Sequence, residues 1–522
     1  MVPAIIPTVA SQPEPAVPAR RVREVRLWLD QPLSPLSCVL GWCLATAAFA
    51  ALVTIFGGVG RSDTYESVFS TWAIAHGQFT CAFPAGYRDI SPVYPLVSGA
   101  VSAVGHIGSS VAFPSRAALG PHCDTAFLAI NTWSLKANAL ARTAQIAYLG
   151  WIVLMAGLIS CLRASGRGRC GWEPATVMFV ALLPPVWSCI QAAFHPQDLF
   201  AMGFALAAIA CARRSAWVAA GVFIALAVLS QQFAVLVAVP LLVLAPGTRR
   251  LAYAGGAIAG GAVLVLPFLI ANPRGAVHAI LFGTGTTGGI GGTVLWEMDL
   301  HGALLVLLSR VAPVGLALVV SWWTLRRIGP DAALAPVALV ALVAVCLSLR
   351  LVFEQQLFGY YFMALSVSLV LLDVIRGRIR PSLVAWLATT SMVYLLGSTQ
   401  LDSLRSPWLT LAQDLIPLSV ILLAAVLLVH EVRRGGPPWR LALWTAMIAG
   451  ALITWNETDV LGVPPTWFWQ VILVPLGIAL AAGPLLAEIR GHDGTPRHEG
   501  APRAVSPALP GPEPMTPDRP HL

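Results

Sequence analysis

The chain has 522 residues, of which 57% are hydrophobic and 11% charged, less than half the roughly 25% charge that coats a soluble domain. With a mean hydropathy of +0.76, ordinary soluble enzymes are excluded, and an all-α polytopic membrane protein is expected. The 32 basic and 24 acidic residues give a charge of +8, but the basic ones lie in short clusters between apolar runs, not on the single patch of a nucleic-acid binder.

Residues 1–35 are Pro-rich, then basic, with Arg20, Arg21, Arg23 and Arg26 ahead of the first apolar run. That run starts too far in for a cleaved signal peptide and reads as a retained anchor. Further runs follow near 143–163, 174–192, 197–212, 215–230, 232–247, 251–271, 302–325, 332–352, 359–375, 381–398, 409–430, 440–455 and 467–488. Several are shorter than a crossing of about 30 Å requires, so about 12–14 transmembrane helices are expected.

Arginine clusters set the orientation. With the N-terminus inside, Arg163/Arg167/Arg169, Arg213/Arg214, Arg249/Arg250, Arg326/Arg327, Arg376/Arg378/Arg380 and Arg433/Arg434/Arg440 all fall on the cytoplasmic side of a plasma membrane. The opposite loops collect Asp63, Glu66, Asp198, Glu297, Asp299, Glu354 and other acids. This holds if 92–109 does not cross, which makes 58–142 one long extracytoplasmic loop containing juxtamembrane helices. Residues 376–490 supply additional C-terminal helices, and 491–522 form a disordered cytoplasmic tail. Both termini are then cytoplasmic. GGIGG at 288–292 follows no strand and reads as a flexible turn, so chemistry is expected on the outer face.

Seven cysteines fall in spans or at inner ends and read as small buried apolar residues. Cys81 and Cys123 share the outer loop, and an even pair in an oxidising compartment is a disulfide candidate; the alternative is two unpaired thiols packed under the loop.

Four segments carry chemistry. Asp63-Thr-Tyr65-Glu66 follows the first span, with Trp72, His76 and Pro92-Val-Tyr94-Pro95 beyond it. A carboxylate there can act as a general base on a substrate partly sunk in the membrane, or it can belong to a helix-capping box. His195-Pro-Gln-Asp198 forms a very short outer turn, able to orient a hydroxyl or simply to cap the next helix. Arg350, Glu354, Tyr360 and Tyr361 bridge two later spans. Arginine at that depth is expensive and suited to two-pronged phosphate binding, although Arg350 and Glu354 also have ion-pair spacing and tyrosines serve as interfacial anchors. Arg310, below His301, is intramembrane without a sequence-local acid, and suits a lipid phosphate or a carboxylate on another helix. Asn272, His278, Trp296, Gln231 and Gln232 are further candidates. No His, Cys or Asp cluster has metal-ligand spacing, so neither a metal nor a cofactor is expected.

The order of Asp63, Tyr94-Pro95, His195-Pro-Gln-Asp198 through Gly221 to Ser230-Gln-Gln, then Arg350 to Tyr361, resembles the GT-C glycosyltransferases that use polyprenyl-phosphate sugars. It is most similar to the actinobacterial polyprenol-phosphate-mannose-dependent mannosyltransferases. The similarity covers residues 36–375. Glu66 departs from the paired acids of some relatives, and Gln231-Gln232 stand where many have a lysine. The resemblance implies a GT-C-like catalytic bundle over 36–375 and an inverting transfer, of mannose first, from a polyprenyl-phosphate sugar donor to a lipid or glycan acceptor. It implies Asp63 as base, Arg350 and Arg310 on the phosphate with Tyr360 and Tyr361 near it, and His195 and Asp198 shaping the pocket; Tyr65, Glu66 and Glu354 are further candidate binding residues beside them. A lipid or solute transporter or flippase is the main alternative, and a non-catalytic scaffold a third.

Overall fold

The computed structural model describes residues 24–55, most of 64–81, parts of 92–97, Cys123, 137–191, 194–282, 293–298, most of 304–397, scattered positions from 418 to 452, and 466–493. Among them the architecture is helical, without strands. The helices used below are α1 (Pro35–Ile55), α2 (Thr64–Ala75), α3 (Ala137–Ala164), α4 (Trp172–Leu182), α5 (Pro184–Gln191), α6 (Pro196–Arg213), α7 (Trp217–Ser230) and α8 (Val235–Leu244). They continue with α9 (Arg249–Ala271), α10 (Pro273–Phe282), α11 (Ala312–Ala333), α12 (Pro336–Phe353), α13 (Met363–Ile375), α14 (Pro381–Gly397) and α15 (Thr466–Asp493).

Among the described residues, five helical segments are long and apolar enough to cross a membrane, or six if the bent pair α4–α5 counts as one. The chain is therefore a polytopic membrane protein in its described part. Several of the apolar runs fold as short helices, and those at 409–430 and 440–455 lie mostly outside the described residues. At 1.5 Å per residue, the 14 residues of α7 reach about 21 Å and the 10 of α8 about 15 Å, well under the hydrocarbon thickness. The run at 174–192 breaks at Leu183, whose extended backbone precedes Pro184, and α4 and α5 meet at 52°. Proline disfavours helix in the residue before it, so the Pro184-Pro185 pair accounts for the break.

Packing follows small residues. In α3 and α6, Gly157 and Gly203 face each other so closely that a Cβ on either would meet backbone atoms of the other helix. The same holds for Gly221 of α7 against Tyr253 of α9, and for Gly256 of α9 against Val218 of α7. Lipid supplies no hydrophobic drive between helices, so close backbone approach is what holds them together. Elsewhere bulk fills the gap: Phe49 of α1 stacks on Trp151 of α3 at 4.7 Å, and Trp151 Nε1 donates to Thr46 Oγ1 at 3.0 Å. Trp386 of α14 donates to the Leu473 carbonyl of α15 at 2.8 Å.

The arginine-bearing helix ends are tied together at one end of the bundle. Arg163 forks onto Glu173 with two 3.0 Å bonds. Arg213 reaches the Leu334 carbonyl at 2.7 Å, and Arg167 reaches the Ile375 carbonyl at 3.4 Å. At the opposite end lie the α5–α6 turn, the α7–α8 turn and the segment joining α12 to α13. Of the first loop, Cys81 and Cys123 are joined by a disulfide. Phe79 packs edge-on against Phe268 at the end of α9, and Asn272 donates to the Thr80 carbonyl at 3.3 Å.

Candidate functional site

The α5–α6 turn is tight. Phe194 adopts φ 55°, a left-handed conformation uncommon outside glycine, and the His195 amide thereby reaches the Cys189 carbonyl at 2.5 Å. Proline suits the first turn of a helix, and α6 starts at Pro196 with His195 as its flanking residue. Asp198 is thus the third residue of the helix, not its cap. Its carboxylate sits near the positive end of the helix dipole yet is 1% exposed, and its Oδ2 carries no hydrogen bond.

The partners of this turn come from far along the chain. Arg350, near the end of α12, places Nη1 4.0 Å from Asp198 Oδ1 and Nε 2.9 Å from Glu354 Oε2. Its guanidinium lies 4.2 Å from the Tyr361 ring centroid and 5.1 Å from that of Phe233. Tyr360 stacks on the His195 ring at 4.9 Å, and Gln197 Nε2 lies 2.7 Å from His195 Nδ1. Gln231 lies beside Asp198 and accepts from the Gln232 amide at 3.1 Å. Gln232 in turn accepts from Arg310 Nη1 at 3.1 Å. Arg310 belongs to a π-helical turn, Leu307–Val311, ahead of α11, an irregularity frequent at functional sites. One cation therefore sits between two carboxylates and against the rings of Tyr361 and Phe233, and Gln232 beside the cluster holds a second arginine. Such a cluster can receive an anion if a carboxylate gives way, because both arginines present planar forks of donors.

The structure thus gathers His195, Asp198, Arg310, Arg350, Glu354, Tyr360 and Tyr361 at one end of the bundle. From the first loop it brings Tyr94, buried edge-on against Phe194 and Phe200 at 6.2 and 6.1 Å. Asp63 lies outside the described residues, as do His76, Asp299 and His301. Tyr65 and Glu66 lie in α2, with only the backbone described, and the same holds for His278, Trp296 and Glu297. Gln470 of α15 is a positioning residue without a sequence signal. It donates to the Leu351 and Glu354 carbonyls at 3.0 Å each and accepts from the Val294 amide at 2.7 Å. The exposed carbonyls at the end of α12 need a donor, but nothing local in the sequence says that α15 supplies it. No group of three or more His, Cys, Asp or Glu able to hold a metal occurs among the described residues. Comparison with protein-family models finds no match, and comparison with curated proteins finds none either.

Proposed function

We propose that the chain is an integral-membrane glycosyltransferase that moves a sugar, mannose first, from a polyprenyl-phosphate donor to a hydroxyl of a lipid or glycan acceptor on the extracytoplasmic face. The observation that carries this reading is the Arg350 cluster: a guanidinium held by Asp198, Glu354 and Tyr361 at the end of the bundle opposite the arginine clusters. Arginine excess marks the cytoplasmic side, which supports an outer position for this cluster. In the transfer, the acceptor oxygen attacks the anomeric carbon from the face opposite the phosphate. The carbon–oxygen bond to phosphate breaks, polyprenyl phosphate leaves, and the acceptor proton passes to the Asp63 carboxylate. Phosphate departs readily, so positive charge to hold it matters more than a strong acid. Arg350 and Arg310 supply that charge, with Tyr360 and Tyr361 beside it, while His195 and Asp198 shape the pocket.

The test is sugar transfer by purified wild type and Asp63→Ala. Removing the base should cost on the order of 10²–10⁴ in rate, and the product should carry the anomeric configuration opposite to the donor. An Asp63→Ala enzyme with wild-type activity sinks the assignment of the base, and retention of configuration sinks the single displacement.

A second reading, a transporter, is favoured by the broken pair α4–α5, since discontinuous helices line many substrate paths. It requires the donor to cross the membrane intact.

A further inference from the structure

At the arginine-bearing end, opposite the candidate site, α4 and the α13–α14 segment enclose a cavity of about 190 Å³. Its walls are almost wholly apolar, formed by Leu29, Trp172, Phe179, Val370, Leu383 and Leu387. Phe179 and Val384, also on its lining, are 43% and 40% exposed, so the slot opens to the surface of the bundle. Its charged lining is Asp373, Arg378 and Arg380. Arg380 pairs with Asp373 at 2.5 Å through Nε and donates from Nη1 to the Leu480 carbonyl at 2.7 Å. Its Nη2 is buried with no hydrogen-bond partner. Arg378 is exposed. Arg26 and Arg167 approach the same turn, because a Cβ on Gly377 would meet Nη2 of both; Arg167 is paired with Asp30 at 2.7 Å.

An apolar slot that opens to the surface of the bundle, with the exposed Arg378 and the buried guanidinium of Arg380 on its lining, fits a molecule with a hydrocarbon tail and an anionic head. We infer that this slot binds an anionic phospholipid, with part of one acyl chain between α4 and α14 and the phosphate at Arg378 and Arg380. Free phosphate would leave the apolar walls empty. A zwitterionic lipid would bring its own cation to a corner already crowded with guanidiniums. Basic pockets between membrane helices hold anionic headgroups elsewhere for the same reason.

The experiment is native mass spectrometry of the full-length protein exposed to an equimolar mixture of phosphatidylglycerol and phosphatidylcholine. Wild type should retain phosphatidylglycerol in excess. Arg378→Glu should lower that retention about tenfold, as reversing one charge at a lipid-facing pocket implies, and Val384→Trp, which blocks the mouth, should displace the lipid. Equal retention of the two lipids by wild type overturns the proposal, and so does an excess of phosphatidylglycerol that survives both substitutions. Thermal melting checks that the variants fold; if either melts early, the selectivity of the wild type alone decides.

Discussion

Arg350 is the residue on which the candidate site turns, and its surroundings say how substitutions should behave. Its side chain is 17% exposed and that of Asp198 2%, so removing the cation leaves two carboxylates facing each other in a low-dielectric setting. Breaking such a pair costs about 3–5 kcal/mol. Arg350→Gln should therefore lower the melting temperature as well as abolish transfer. Arg350→Lys keeps the charge but loses the planar fork, so it should fold and still transfer poorly. A melting curve beside a transfer assay separates the two effects, and an Arg350→Lys enzyme with full activity would remove the guanidinium from the chemistry. The two segments of this cluster were legible in the sequence, as a charged turn and as an arginine at membrane depth. Their meeting was not, because Asp198 and Arg350 are far apart in the chain and no periodicity encodes that contact.

At the scale of elements, glycine spacing and long-range bonds decide what can change. Both Gly256 and Gly261 lie on α9, but a Cβ at Gly256 would meet the Val218 carbonyl while one at Gly261 meets nothing within 4 Å. Gly256→Ala should destabilise by about 1–3 kcal/mol through overpacking. Gly261→Ala should be neutral or slightly stabilising, since alanine favours helix by about 1 kcal/mol. Thermal melting of the two variants side by side tests the packing of α7 on α9. Gln470→Ala strips the Val294 amide and two carbonyls of their partner. One unsatisfied buried group costs about 1–3 kcal/mol, so the variant should melt earlier and lose activity although α15 carries none of the proposed chemistry. The break between α4 and α5 was missed, since 174–192 reads as one apolar run although Pro184-Pro185 interrupts it, and the docking of α15 had no sequence signal.

For the whole molecule, composition and apolar runs foretold a helical membrane protein, and the described spans agree with that. Within the described residues, hydropathy alone did not distinguish a full crossing from two short helices meeting at an angle, as at α4 and α5. The disulfide closes 42 residues of sequence separation in the first loop, which on chain entropy stabilises by about 4 kcal/mol. Thiol-specific alkylation should leave Cys81 and Cys123 unlabelled until reductant is added, and Cys81→Ser should lower the melting temperature. Labelling of both without reductant would contradict the link. The division of the molecule into an arginine-bearing end and a site-bearing end is what joins the fold to the proposed reaction.

The most direct measurement is the fate of a synthetic short-chain polyprenyl-phosphate-mannose, labelled in both sugar and lipid, in vesicles containing the wild-type protein. A glycosyltransferase separates the two labels, leaving mannose on an acceptor and releasing one polyprenyl phosphate for each sugar transferred. Labels that stay together and merely change sides of the membrane would contradict the account and establish a transporter instead.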